Sequence, residues 1–83
     1  MPSATAPEPH PVPIRDEMIR LGQFLQLAQI AIDATAAKAL LADGLVHVNA
    51  QPETRRGRQL VVDDVVTVSF PDGPLRFQVS QEP

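Results

Sequence analysis

Leu21–Ala50 reads LGQFLQLAQIAIDATAAKALLADGLVHVNA, and within it the spacing of apolar residues changes from helical to extended. Leu21, Phe24, Leu25 and Ala28 recur at i, i+3, i+4 and i+7, which predicts a first helix from about Leu21 to Ile30. Asp33 and Thr35 then offer capping oxygens. Ala37, Leu40 and Leu41 repeat an apolar face, and Gly44 supplies a left-handed stop, so a second helix is expected from about Ala34 to Asp43. After the stop, Val46 and Val48 alternate with His47 and Asn49 as in a short strand, with Asn49-Ala50 where a hairpin turn prefers Asn-Gly. Two helices joined by so few residues fold back on each other, and their shared apolar face needs a second layer. The remaining chain supplies it as strands.

Downstream, Gln51–Gln59 is polar and without period, which predicts an exposed loop or a loosely paired edge. Leu60 to Val62 resumes an apolar run, Asp63-Asp64 reads as a turn and Val65 to Phe70 as a strand. Pro71 to Pro74 forms a turn centred on Asp-Gly, and Leu75 to Val79 is a last strand paired with the one before it. Upstream, residues 1–13 hold five of the nine prolines, with Pro7, Pro9, Pro11 and Pro13 at every second position. Proline at that density excludes helix and deprives a sheet of donors, so residues 1–13 are expected to be a disordered, solvated tail and residues 14–83 a single domain. No two of the tail prolines are three apart, so the PxxP spacing of proline-recognition ligands is missing.

Eighty-three residues allow one compact domain and exclude a multidomain enzyme. Without cysteine there is no disulfide framework, thiolate metal site or thiol nucleophile, and two isolated histidines do not make a metal site. No cofactor is implied. Asp63-Asp64 is an adjacent carboxylate pair whose side chains diverge, and the serines lack a His and carboxylate constellation, so no catalytic residue is expected. No apolar run approaches the roughly 18 residues of a membrane span and no export signal is visible, which makes the cytoplasm the expected compartment. The formal charge of −3 argues mildly against nucleic acid, and three Phe without Trp or Tyr leave few faces for stacking bases. Charge is unevenly spread, however. Ile14 to Phe70 carries six basic and seven acidic residues, and Arg55, Arg56 and Arg58 concentrate three cations within four positions. Guanidinium groups grip phosphate in a forked geometry that lysine cannot copy, so this run is a candidate phosphate clamp.

The run from Ile19 to Val68 resembles the RNA-binding domain of ribosomal protein S-four, also called the αL motif, and its small stand-alone bacterial branch in particular. Four signatures in order carry the resemblance: the leucine-rich Leu21–Leu27, Ala37-Lys38, the Gly-x-Val-x-Val-Asn segment Gly44–Asn49, and the Glu-x-Arg-Arg-Gly segment Glu53–Gly57. It implies an α+β fold in which a two-helix hairpin packs on a small, bent antiparallel sheet. It also implies binding of structured, ribosomal or ribosome-associated RNA through a basic patch, with no small-molecule substrate and no membrane. The residues matched to that role are Arg20, Lys38, His47, Arg55, Arg56 and Arg58. Departures from the family pattern are Gln26 in place of Lys, Asp33-Ala34-Thr35 in place of Ser-Arg or Ser-Gly-Gly, Asn49-Ala50 in place of Asn-Gly, and Asp63-Asp64 in place of Gly-Asp. Each removes positive charge or backbone freedom. They leave open the alternative of a protein-interaction module on the same scaffold, accessory to an RNA-modifying enzyme.

Overall fold

A computed structural model of the protein describes residues 9–83. Its elements are β1 (His10–Ile14), β2 (Met18–Arg20), α1 (Leu21–Leu27), α2 (Ala34–Ala42), β3 (Val46–Val48), β4 (Gln51–Pro52), β5 (Gln59–Val61), β6 (Val65–Phe70) and β7 (Gly73–Gln81). The class is α+β, with two helices as the apolar spacing predicts.

Both helices stop for local reasons. In α1 the backbone enters the left-handed region at Gln29, with φ 61°, and the N–H of Ile30 turns back to the Leu25 carbonyl. The helix therefore ends at Leu27, three residues short of the expected Ile30. At α2 the Asp33 carboxylate accepts from the Ala36 N–H at 2.8 Å, the anticipated cap. Gly44, at φ 74°, closes the other end, and the Leu45 N–H reaches back to the Leu40 carbonyl.

Strand order is β1-β7-β6-β3-β4, with a separate pair β2-β5. The β3-β4, β3-β6 and β6-β7 pairings are antiparallel, but β1 lies parallel to β7, so the sheet is mixed rather than antiparallel throughout. This also corrects the tail boundary. His10–Pro13 belongs to an edge strand, while residues 1–8 of the expected tail lie outside the described residues. The prolines are compatible with pairing because they alternate. Ile14 presents its carbonyl toward β7, where Glu82 donates to it, so Val12 and His10 face β7 as well and Pro11 and Pro13 point their missing N–H outward. Val12 and Ile14 meanwhile turn their side chains toward the core.

Turn positions refine the rest. Phe70 pairs with Gly73, so the β6-β7 turn is centred on Pro71-Asp72 rather than Asp72-Gly73, with proline at the corner that fixes its φ. Val48 pairs with Gln51, leaving Asn49 and Ala50 as a two-residue hairpin loop, both at positive φ (51° and 70°). Asn49 also ties this turn to the next one: its amide donates to Asp64 at 3.0 Å and its carbonyl oxygen accepts from the Val65 N–H at 2.9 Å.

Leu21, Phe24 and Leu25 of α1 meet Leu41 of α2, the inward valines Val46, Val48, Val66, Val68 and Val79, and Leu60 of β5, all of them buried. One continuous core thus joins both helices to the sheet. The start of α1 is pinned between that core and the segment leading into β5.

Candidate nucleic-acid interface

Arg55 to Arg58 form a turn in which the Arg58 N–H donates to the Arg55 carbonyl at 3.2 Å. The turn docks on the first residues of α1. A helix leaves its first N–H groups without intrahelical partners, and here loop carbonyls accept them: Leu21 donates to Arg58 at 2.8 Å and Gly22 to Arg56 at 2.9 Å. Arg20 adds a third tie, donating from Nη1 to the Gly57 carbonyl at 3.1 Å. The backbone contacts fix where the three arginines of the turn emerge.

Close approach at this joint favours a residue without a side chain. A Cβ on Gly22 would stand 3.2 Å from the Arg56 Cβ and 3.4 Å from its carbonyl oxygen. A Cβ on Gly57, by contrast, would meet only Arg20 Nη1, at an ordinary contact distance of 3.8 Å, and the Gly57 φ is not in the left-handed range. The glycine that lets the turn sit here is therefore on the helix.

Gln51–Pro52 pairs at the sheet edge, one of the two expected forms of this segment, but Glu53 departs from its exposure, since its side chain is 8% exposed. Its Oε2 accepts from the backbone N–H groups of Thr54 and Arg55, both at 3.1 Å, and from Arg55 Nε at 3.1 Å. Oε1 accepts from Arg55 Nη2 at 3.3 Å and from Arg58 Nη1 at 2.9 Å. The Arg55 guanidinium, then that of Arg58, lowers the carboxyl pKa from 4.5 to about 2, against an opposing push from burial. The same pairing raises that of Arg55. Neither Glu53 nor Gly22 was singled out by the clustering of cations, although an acid two residues before the first arginine of a basic run was a visible cue for the former.

Of the sequence-derived candidates, Arg20, Arg55, Arg56 and Arg58 come together through this turn. Lys38 and Arg56 line one cleft of about 450 Å³ with Leu41, Ala42 and Thr54. A second, of about 250 Å³, has Arg20, Arg56, Gln23 and Gln26 around small residues of both helices, including Gly22 and Ala34. His47 lies elsewhere. It is registered with Thr67 of β6 and Pro52 of β4, on the sheet face opposite Val46 and Val48, whereas the helices cover the valine side.

A sequence model of the S4 domain matches residues 12–75, and the chain belongs to the S4 domain family. It is 48% identical over 70 residues to the "Probable ribosome maturation protein RlbA" of Bacillus subtilis (strain 168), an alignment covering 84% of this chain and 94% of that one. It is also 45% identical over 49 residues to the small ribosomal subunit protein uS4m of Schizosaccharomyces pombe (strain 972 / ATCC 24843), covering 59% of this chain and 15% of that larger protein. No helix of the described residues is long and apolar enough to cross a membrane.

Proposed function

We propose that this protein binds structured RNA of ribosomal type by laying Arg20, Lys38, Arg55, Arg56 and Arg58 against the phosphate backbone, with the αL motif of helices and adjoining turn as the docking face. The observation that carries the reading is the clasp of the Arg55–Arg58 turn on α1, which gathers four guanidinium-bearing residues around one backbone joint. Family membership and the ribosomal names of the relatives support the same direction. The role is binding by shape and charge, with no chemistry on the RNA and no cofactor, in a ribosome-associated cytoplasmic setting. His47 stands outside this face, so His47→Ala should leave RNA affinity unchanged.

Neutralising about four phosphates gives a log-log salt slope near −3 to −4. Filter binding to transcribed ribosomal RNA at two salt concentrations tests it, comparing the parent with a protein in which Arg55, Arg56 and Arg58 are all Ala. Loss of affinity together with a shallower slope is expected; unchanged affinity overturns the clamp.

One observation favours a protein partner as the second reading. Ile32, between the helices, is 92% exposed, an apolar side chain in solvent that a protein partner would cover. Ribonuclease treatment of a cosedimenting complex separates the readings, since an RNA-bound protein is released and a protein-bound one stays attached.

A further inference from the structure

A carboxylate in the middle of an anion-binding patch is, by Coulomb's law alone, a defect. Glu53 sits there nonetheless, beneath the guanidiniums rather than among them. Its side chain is 8% exposed, against 74% for Arg55 and 34% for Arg58. An anion arriving from solvent meets the two arginines first.

The atoms used by the pairing decide what is left over. An arginine has five N–H donors in a rigid fork. Arg55 gives Glu53 its Nε and Nη2 donors, which turns the Nη1 end of the fork away from the carboxylate. Arg58 gives only Nη1, and keeps its Nε–Nη2 edge, the side that matches two oxygens of one phosphate. Two long side chains that would otherwise sample many rotamers are thus held by one buried acceptor, itself fixed by the Thr54 and Arg55 backbone N–H groups. Arg56, on the same turn, is not bonded to Glu53.

We propose that Glu53 is a positioning residue that orients the remaining donor edges of Arg55 and Arg58 into a single phosphodiester subsite, so that its negative charge strengthens RNA binding instead of weakening it. This rests on the RNA reading above and goes beyond it, because a patch acting by charge alone requires the opposite sign. Arg56, which lines the clefts shared with Lys38 and with Arg20 and is not bonded to Glu53, acts as a point charge beside them. Lysine should replace Arg56 but neither Arg55 nor Arg58.

The experiment compares the parent, Glu53→Gln, the double variant Arg55→Lys/Arg58→Lys, and Arg56→Lys, by filter binding to transcribed ribosomal RNA at two salt concentrations, with thermal unfolding run alongside. Glu53→Gln removes a negative charge with little change of shape, and is expected to bind about tenfold more weakly, with a salt slope shallower by about 1 to 2. The double lysine variant keeps every formal charge and should lose affinity to a similar extent, while Arg56→Lys stays within about twofold of the parent. Equal or tighter binding by Glu53→Gln overturns the proposal. Should that variant fail to fold, parental affinity in the double lysine variant overturns it equally. A parent that shows no salt-dependent RNA binding would instead refute the RNA reading on which the subsite depends.

Discussion

The Gly22 N–H donates to the Arg56 carbonyl at 2.9 Å, and a side chain on Gly22 would begin 3.2 Å from the Arg56 Cβ. Hydrogen bond and close packing act on the same pair, so helix α1 and the basic turn behave as one piece. Gly22→Ala brings two opposed effects, a helix-propensity gain of up to about 1 kcal/mol and a contact that a doubly bonded turn resists. Its stability should fall within about 1 kcal/mol of the parent. Gly22→Val cannot find room by a small shift and should lose about 1–3 kcal/mol in urea unfolding. Faster amide exchange at Gly22 and Leu21 in the valine variant would locate the damage at this joint.

Two turns carry residues that pay for their conformation. Ala50 at φ 70° and Asp63 at φ 83° occupy the region where a Cβ crowds the backbone, a cost of roughly 1–2 kcal/mol for most residues and less for Asp. Ala50→Gly should therefore raise the urea midpoint, by about 1 kcal/mol in stability and with unchanged m, and Asp63→Gly should do so by less. Glycine also widens the unfolded ensemble, which trims both gains.

The helices were legible because their signals are local: the apolar stripe of Leu21, Phe24 and Leu25, the cap at Asp33 and the stop at Gly44 lie within one short run of sequence. What could not be read depends on contacts between distant segments. Met18–Arg20 looks like the approach to a helix, and becomes β2 because Ile19 pairs with Leu60 of β5. His10–Pro13 looks like tail because nothing nearby reveals β7, nearly seventy residues on, as its partner. The candidate site divided the same way. Clustered arginines announced themselves and Glu53 stood beside them in the Glu-x-Arg-Arg-Gly signature, but its pairing with Arg58 and the close fit at Gly22 take shape only once the turn has folded onto α1.

The edge strand gives that distinction a measurable form. Cutting the chain before Ile14, at the boundary the prolines indicate, would remove the strand that pairs with Phe77–Ser80 and strip cover from Val79, a fully buried core residue. Loss of about 2–4 kcal/mol is expected, from Val12 packing and the β1-β7 ladder together. A chain beginning at Pro9 retains every β1 residue and should keep the stability that the shorter one loses. Equal unfolding midpoints for the two truncations would show that His10–Pro13 contribute nothing to the fold.

Glu53 also makes a prediction for acid. Its carboxyl titrates near 2 in the folded protein and near 4.5 when unfolded, so the unfolded chain binds the proton more readily as pH falls. The stabilisation from the pair with Arg55 and Arg58 is therefore fully present above about pH 4.5 and declines as pH falls toward 2. Parent and Glu53→Gln differ at this one carboxylate, so the difference between them isolates its contribution. The difference in unfolding free energy between the parent and Glu53→Gln should accordingly be largest at pH 7, about 1–2 kcal/mol because solvent screens the exposed Arg55 partner, and should shrink between pH 4.5 and 2. Urea unfolding of both proteins at pH 7, 4 and 2.5 measures that difference directly. A gap that stays constant with pH would show that Glu53 stabilises the turn by its shape and not by its charge.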